Sequence, residues 1–565
     1  FFLVFVAIAA MQFFLPKPQP KPQPQPSPEQ QLPQATATPA APAPARSTPG
    51  PRKAPAVSKT PVQQAAAESE SVLENDLYRV TLTNRGGMVK SWVLKKYKDD
   101  KGSPLDMVNS SAAPSLGYPL SFFAYDKDLQ NKLNEALYVV HASPDSVTFE
   151  YSDGDLSVRK VFRQDQKYII SLETEVTRGG QRVTAVPQWP AGLGDQASLG
   201  SYSSARIDYY NQEGKVERKA NSSSIFTGKK WVPNGQTLNG PFNWAAIVDQ
   251  YFTVAFMPDA AKGTSLVTLN NQVEVPKNPA NPNDTAKEKV AVLGFAFGNT
   301  GGVTQTRVLV GPKAVDVLEG TQAQPGGPDL RGILDYGTFG FIARPLFLWL
   351  KWTHEHWIPN WGWAIAFLTV VITMALLPLR ISSMKSSMKM AKIQPQVKAI
   401  NEKYKRYSIT DPRRQEMQKE MSELYKREGV NPIGGCFPML LQMPFLFAFY
   451  SMLGNAIELR QANWLWIHDL SAPDPTHFLP IVIVITMFIT QKSTPQAGMD
   501  PTQQKMMNFM GPLMIGGISW GVASGLCVYW AISNLLGYVQ QVFINRSELG
   551  RQVRKTMERR AARKK

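Results

Sequence analysis

The sequence is poor in residues that do covalent or metal chemistry. Of 565 residues, only two are cysteine and five histidine. Cys436 and Cys527 both lie in apolar stretches without a CxxC or ligand-spaced neighbour, so small buried side chains are expected rather than a disulfide, a metal site or a thiol catalyst. No GxxxxGK[ST] run or other nucleotide signature occurs, which leaves no site for ATP chemistry. His141 stands alone. His354 and His356 are spaced i,i+2, off one helical face and without a third ligand, so packing or solvation is expected of them. Asp249, beside Tyr251, reads as a hydrogen-bonded carboxylate at a strand end. No catalytic residue, metal ligand or cofactor is expected.

Acidic residues are also scarce: 44 against 61 basic ones, a net charge of +17. The excess is local. From Arg380 to Val430 there are thirteen basic and six acidic residues, and from Arg546 to Lys565 nine and two. Both blocks flank apolar runs. The positive-inside rule explains them without nucleic acid and puts them on the cytoplasmic side, so no DNA partner is expected. Anionic lipid or a ribosome remains a further partner for the tail.

The apolar runs organise the rest. Residues 1–15, FFLVFVAIAAMQFFL, read as a truncated N-terminal transmembrane anchor. Residues 16–71 are a Pro/Ala/Gln-rich spacer that favours extended geometry and cannot pack a core. Residues 72–325 carry period-two patterns such as DLYRVTLTN, a turn at Asn84–Gly87 and SVTFEY, so an antiparallel β-sandwich is expected. Residues 332–357 are amphipathic and aromatic, interrupted at Arg344–Pro345. They predict an interfacial helix with Phe347, Leu350 and Trp357 as anchors and Lys351, His354 and Glu355 facing water. Five spans follow within 360–545: about Trp361–Leu379, Cys436–Ile457, Phe478–Thr490, Phe509–Trp520 and Gly525–Phe543. Lys492–Lys505 is expected as a polar turn. Loop parity puts residues 382–428 and the tail 546–565 on one side and the β-domain on the other.

Residues 382–428 have helical period. Ile393, Val397, Ile400 and Tyr404 form one stripe; Pro412 opens a second helix with Met417, Met421, Leu424 and Tyr425 on a face. A cytoplasmic hairpin is expected. Its methionines, including Met384 and Met388, either receive apolar client segments or simply pack the hairpin.

From DYGTFGFIARPLF onward the chain resembles the YidC/Oxa1/Alb3 family of membrane protein insertases, in its Gram-negative YidC form. NWGWAIAFLT, IQPQVKAINEKY, NPIGGCFPMLLQMPFLFAFYSML, ELRQANWLWIHDLSAPDP, DPTQQKMMNFM and SGLCVYWAISNLLGYVQQ carry the likeness, and TNRGGMVKSWVL and WAAIVDQYFTVAFMP extend it into the β-region. The resemblance implies a multi-domain membrane protein. Its α-helical transmembrane core has five helices plus an N-terminal anchor, and its periplasmic domain is a β-supersandwich. It implies a hydrophilic groove that passes hydrophobic segments of nascent membrane proteins laterally into the inner membrane. It also implies SecYEG, SecDF and the ribosome as partners. The family's groove arginine, five residues before the Pro of the PL motif, is here Thr373. Arg380, at the groove mouth, is the nearest arginine. Thr369, Thr373, Gln442, Ser451, Asn455, Ser519, Ser524, Ser533 and Asn534 are the polar set expected to keep the groove wet. Two other readings are a secondary transporter and an envelope scaffold built on the β-domain. The first is disfavoured because no inverted repeat and no carboxylate within the spans is visible.

Overall fold

The computed structural model describes residues 61–196, 199–221, 230–277, 286–407, 411–429, 437–493, 501–548 and 550–552. The expected anchor, most of the spacer, Cys436 and most of the basic tail lie outside these residues, as does the side chain of Gln442.

The β-rich half follows the alternation in its sequence. YRVTLT becomes strand Tyr78–Thr83 with Tyr78, Val80 and Leu82 buried, because successive side chains of a strand point to opposite faces. The turn after it needs glycine: Gly86 and Gly87 have φ of 66° and 55°, and a Cβ on Gly86 would collide with the backbone of Asn134. Three sheets form among the described residues. One has four strands, beginning at Glu70–Glu74. One has eleven and runs from Lys230–Trp231 through Trp244–Val248, Phe252–Pro258, Val303–Pro312 and Ile169–Arg178 to Val139–Ala142. One has five and is centred on the long pair Thr264–Pro276 and Lys287–Asn299. The pairings are antiparallel apart from Val216–Ala220 with Lys230–Trp231. Trp92, Trp189, Trp244, Phe122, Phe149 and Phe256 are fully buried in one core shared by the three sheets.

The helical half begins at α1 (Val315–Glu319) and α2 (Gly340–His356). The sequence expectation for α2 is corrected at several residues. Phe347 and Leu350, expected as interfacial anchors, are buried in the helical core. The helix runs through Pro345 without interruption. Lys351 does not face water: its side chain is 15% exposed and pairs with Asp316 of α1, while Arg344 pairs with Glu319 at 2.7 Å. His354 stacks on Trp361 at 3.9 Å and His356 on Trp352 at 5.5 Å, so both imidazoles serve ring packing.

α3 (Trp361–Ala375) and α4 (Leu377–Tyr404) follow, then α5 (Arg413–Arg427), α6 (Phe437–Asn455), α7 (Phe478–Ser493), α8 (Pro501–Ser519) and α9 (Ser524–Arg546). No single described helix is long and apolar enough to cross a membrane. Residues 361–375 and 377–390 meet the requirement together, bent by 54° at the break, where Pro378 supplies no N–H to the helix ladder. The turn expected over Lys492–Lys505 is shorter than read, since α8 starts at Pro501. Many large apolar side chains of this half are exposed, including Ile485, Phe509, Leu513, Leu535 and Phe543. Exposed apolar side chains in this number suit a lipid-facing surface.

Candidate functional site: a polar seam in the helical core

α9 lies at the centre of the helical half and packs on α3, α4, α6 and α7. Its sequence is apolar with polar residues at helical spacing. Tyr529, Ser533, Gly537 and Gln540 recur every three to four residues and so share one face. Two contacts fix that face against α4. A Cβ on Gly537 would stand 3.4 Å from Arg380 Nη1, and Ile544 packs on Met388, with Ile381 and Met384 beside them. Gln540 therefore sits between these two contacts, opposite the first turns of α4. Arg380 points back along the bundle over Gly537 and comes within electrostatic reach of Tyr529.

The helical half holds buried amide atoms without a hydrogen-bond partner, those of Gln540 at the seam and two others toward α7 and α8. Gln540 is 9% exposed, and neither its Oε1 nor its Nε2 has a hydrogen-bond partner. Gln541 is 1% exposed; its Nε2 donates to Asn545 Oδ1 at 2.8 Å, but its Oε1 has no partner. Gln491 of α7 likewise has a sealed, unpartnered Oε1. Leaving a buried amide unpaired costs about 1–3 kcal/mol. At the α4–α9 contact the Gln540 amide marks a place for water or for a polar guest.

The predicted polar residues divide. Thr373 is buried on α3. Thr369 is fully buried and donates to the Ile365 carbonyl at 2.7 Å, so its hydroxyl is spent on its own helix. Ser519 does the same toward Gly516 at 2.7 Å, and Ser524 bonds the Ala472 carbonyl at 2.7 Å. Ser533 is on the seam and Asn534 is half-buried beside it. Asn455 is not in the bundle interior. It ends α6, turns back to the Ser451 carbonyl at 2.8 Å, and lines a small cavity with Lys313, Asp335 and Glu458 where the helices meet the β-domain. Ser451, half-buried one turn earlier, is near the same end.

The four methionines are packed rather than presented. Met384 and Met388 belong to the α4–α9 contact. Met417 and Met421 join Met390, Ile393, Val397, Ile400, Tyr404 and Leu424 inside the α4–α5 hairpin. The hairpin stripes read from sequence are thus the ones observed, but they face each other. Sequence reasoning passed over Gln540, Gln541 and Gln491. The signal was present: two adjacent glutamines in GYVQQVF, inside an otherwise apolar helix.

Among the described residues, no group of His, Cys, Asp and Glu side chains is arranged to hold a metal. Residues 70–349 match the model of the YidC periplasmic domain and residues 352–551 that of the 60Kd inner membrane protein. The membrane protein insertase YidC of Vibrio cholerae serotype O1 is 32% identical over 522 residues, covering 88% of this chain and 90% of that one. That of Anaeromyxobacter dehalogenans is 33% identical over 497 residues, 84% and 85% of the two chains. An active YidC insertase crystal structure is 18% identical and covers 86% of this chain and 94% of its own, with a TM-score of 0.33, too loose a superposition to bear on residue placement. On the family models and the full-length relatives, the chain belongs to the YidC/Oxa1 family of membrane protein insertases.

Proposed function

We propose that the seam between α3, α4 and α9 is the groove through which this insertase passes hydrophobic segments of nascent proteins into the inner membrane. The chain is an insertase and not an enzyme, and its β-domain is periplasmic. The observation that carries the groove assignment is the unpartnered amide of Gln540, one turn from the approach of Arg380 to Gly537, in a bundle that exposes many large apolar side chains. A hydrated seam lowers the cost of bringing a client's polar flank into the bilayer, and the client's apolar helix then gains by moving into lipid. No nucleotide is needed for that step.

In this reading five spans enclose the groove, beginning with the bent α3–α4 pair, and the β-domain is a supersandwich. Thr373 and Ser533 line the groove's middle, and Arg380 supplies at its mouth the positive charge that Thr373 does not. The α4–α5 hairpin and the basic tail face the cytoplasm. The hairpin's methionines become available to a client only when the two helices part. SecYEG with SecDF, the ribosome and anionic lipids are the proposed partners.

Site-specific photocrosslinking from Thr373, Gln442 and Ser533 to a ribosome-stalled membrane protein tests the assignment. Adducts with the client's apolar segment are expected from all three. Labelling of lipid alone at Thr373 and Ser533 would sink it.

A further inference from the structure

The loop 456–477, between α6 and α7, lies across the starts of α3 and α9. Asn360, which caps α3, donates through Nδ2 to the Asn463 carbonyl at 3.0 Å, and the Trp464 ring fills the space at Gly362. The first N–H groups of α9, which no helical carbonyl can reach, are taken by the same loop. Ser524 N–H donates to the Ala472 carbonyl at 2.7 Å and Gly525 N–H to that of Leu470 at 2.8 Å. Leu459, Ile467 and Leu470 are fully buried there, in one cluster with Ile365 of α3 and Cys527 of α9. The loop thus covers this end of the α3–α9 pair as a plug.

The plug is gripped from the β-domain. Gln461 and Leu465 have φ of 60° and 51°, a left-handed backbone that residues with a Cβ keep only where their surroundings enforce it. At Gln461 the surroundings are strand Met88–Lys98 and the turn after it. The register of that strand with Tyr78–Thr83 ends at Leu94, so its last residue, Lys98, lies beyond the ladder. The Lys98 carbonyl accepts instead from Arg460 Nη1 at 2.7 Å and from Gln461 Nε2 at 3.3 Å, and the same Nε2 is 3.4 Å from the Asp99 carbonyl. Asp99 Oδ1 keeps the turn in shape by accepting from the N–H groups of Lys101 at 2.9 Å and Ser103 at 2.8 Å. A second grip comes from the turn 249–252. Asp249 Oδ1 holds it by accepting from the N–H groups of Tyr251 at 2.8 Å and Phe252 at 2.7 Å, and Gln250 Nε2 donates to the Gly454 carbonyl of α6 at 2.7 Å. Arg460 joins the two grips, with its guanidinium over the Phe252 ring at 5.6 Å.

We propose that Arg460 and Gln461 are positioning residues through which the β-domain braces the plug, and that this brace keeps the seam closed at its β-domain end. Calling that end part of the seam rests on the groove reading; the brace itself does not. The neighbouring carboxylate is not what holds Arg460. Asp100 lies 3.7 Å away but is 83% exposed, so solvent screens the attraction. The guanidinium is 9% exposed and has a main-chain acceptor, a charge-assisted bond that water does not replace.

Cys527 is a built-in reporter, since it is fully buried in the cluster under the plug and the chain has only one other cysteine. In Cys436→Ser protein, a membrane-impermeant maleimide is added to spheroplasts, which present the β-domain outward. Cys527 should react slowly in this parent and several-fold faster once Arg460→Ala is added. Arg460→Lys, which keeps a donor for the Lys98 carbonyl, should restore most of the protection, and Asp100→Asn should leave the parent rate unchanged. Amide-exchange protection of strand Ile169–Arg178 should stay level throughout, which separates a loosened plug from general unfolding. Should R460A not accumulate, Gln250→Ala with Gln461→Ala cuts the same brace without touching a charge and is read in the same way. The brace is overturned by fast labelling of the parent, by parent-rate labelling of the variants, or by a rise that D100N matches, that R460K does not reverse or that strand Ile169–Arg178 shares. No client takes part in the measurement, so its failure and that of the groove are told apart.

Discussion

Gln540 poses the residue-scale question of whether its buried amide is a cost or a tool. Gln540→Leu removes an amide with no protein partner, so by packing alone the fold should gain, by up to about 1–3 kcal/mol. If water or client occupies the seam, the same change dries it. The expected outcome is an unchanged or raised melting temperature together with reduced insertion of clients that carry polar flanks; a clear fall in melting temperature would show that the amide is structural. The residue scale is also where sequence was least informative. Thr369, Ser519 and Ser524 look like groove residues in a list of polar side chains, yet each spends its hydroxyl on a backbone carbonyl. Asn455 looks like a mid-span polar group, but it caps a helix end beside Glu458. Only partners in space separate these from Thr373, Ser533 and Gln540.

At the scale of elements, periodicity and turn chemistry located particular strands, a turn and the helical hairpin. The strand at Tyr78, the Gly86–Gly87 turn and both hairpin stripes occur where the sequence puts them. What periodicity cannot show is which element covers a stripe. Lys351 has the pattern of a solvent-facing residue, but α1 lies over it with Asp316. The register of the helices rests on close approaches as well. Gly362 at the start of α3 receives the Trp464 ring, which itself packs on Trp363 and Trp466. Gly362→Ala should gain up to about 1 kcal/mol of helix propensity, but overpacking against a buried indole costs about 1–3 kcal/mol. The net expectation is a lowered melting temperature and a tryptophan emission shifted toward that of exposed indole, measured by calorimetry and fluorescence.

At the scale of the whole molecule, the question is which half does the work. The seam is built entirely from α3, α4 and α9, with α7 alongside, and no β-domain residue enters it. Deleting residues 72–325 should therefore leave insertion of a simple client largely intact in a reconstituted assay, whereas a molecule whose β-domain is the active part would lose it. The deletion also removes the partners of Arg344, Lys351 and Gly454, so α2 should become the most mobile remaining helix.

The break between α3 and α4 bears on how such a groove can change over time. Side-chain polarity changes with a single residue substitution. Main-chain polarity does not, proline apart. Pro378 withholds an N–H from the Met374 carbonyl, which keeps only the sidelong contact from Leu376 N–H. The Met374 carbonyl is thereby left without the helical donor that position 378 would otherwise supply, for as long as the proline is there.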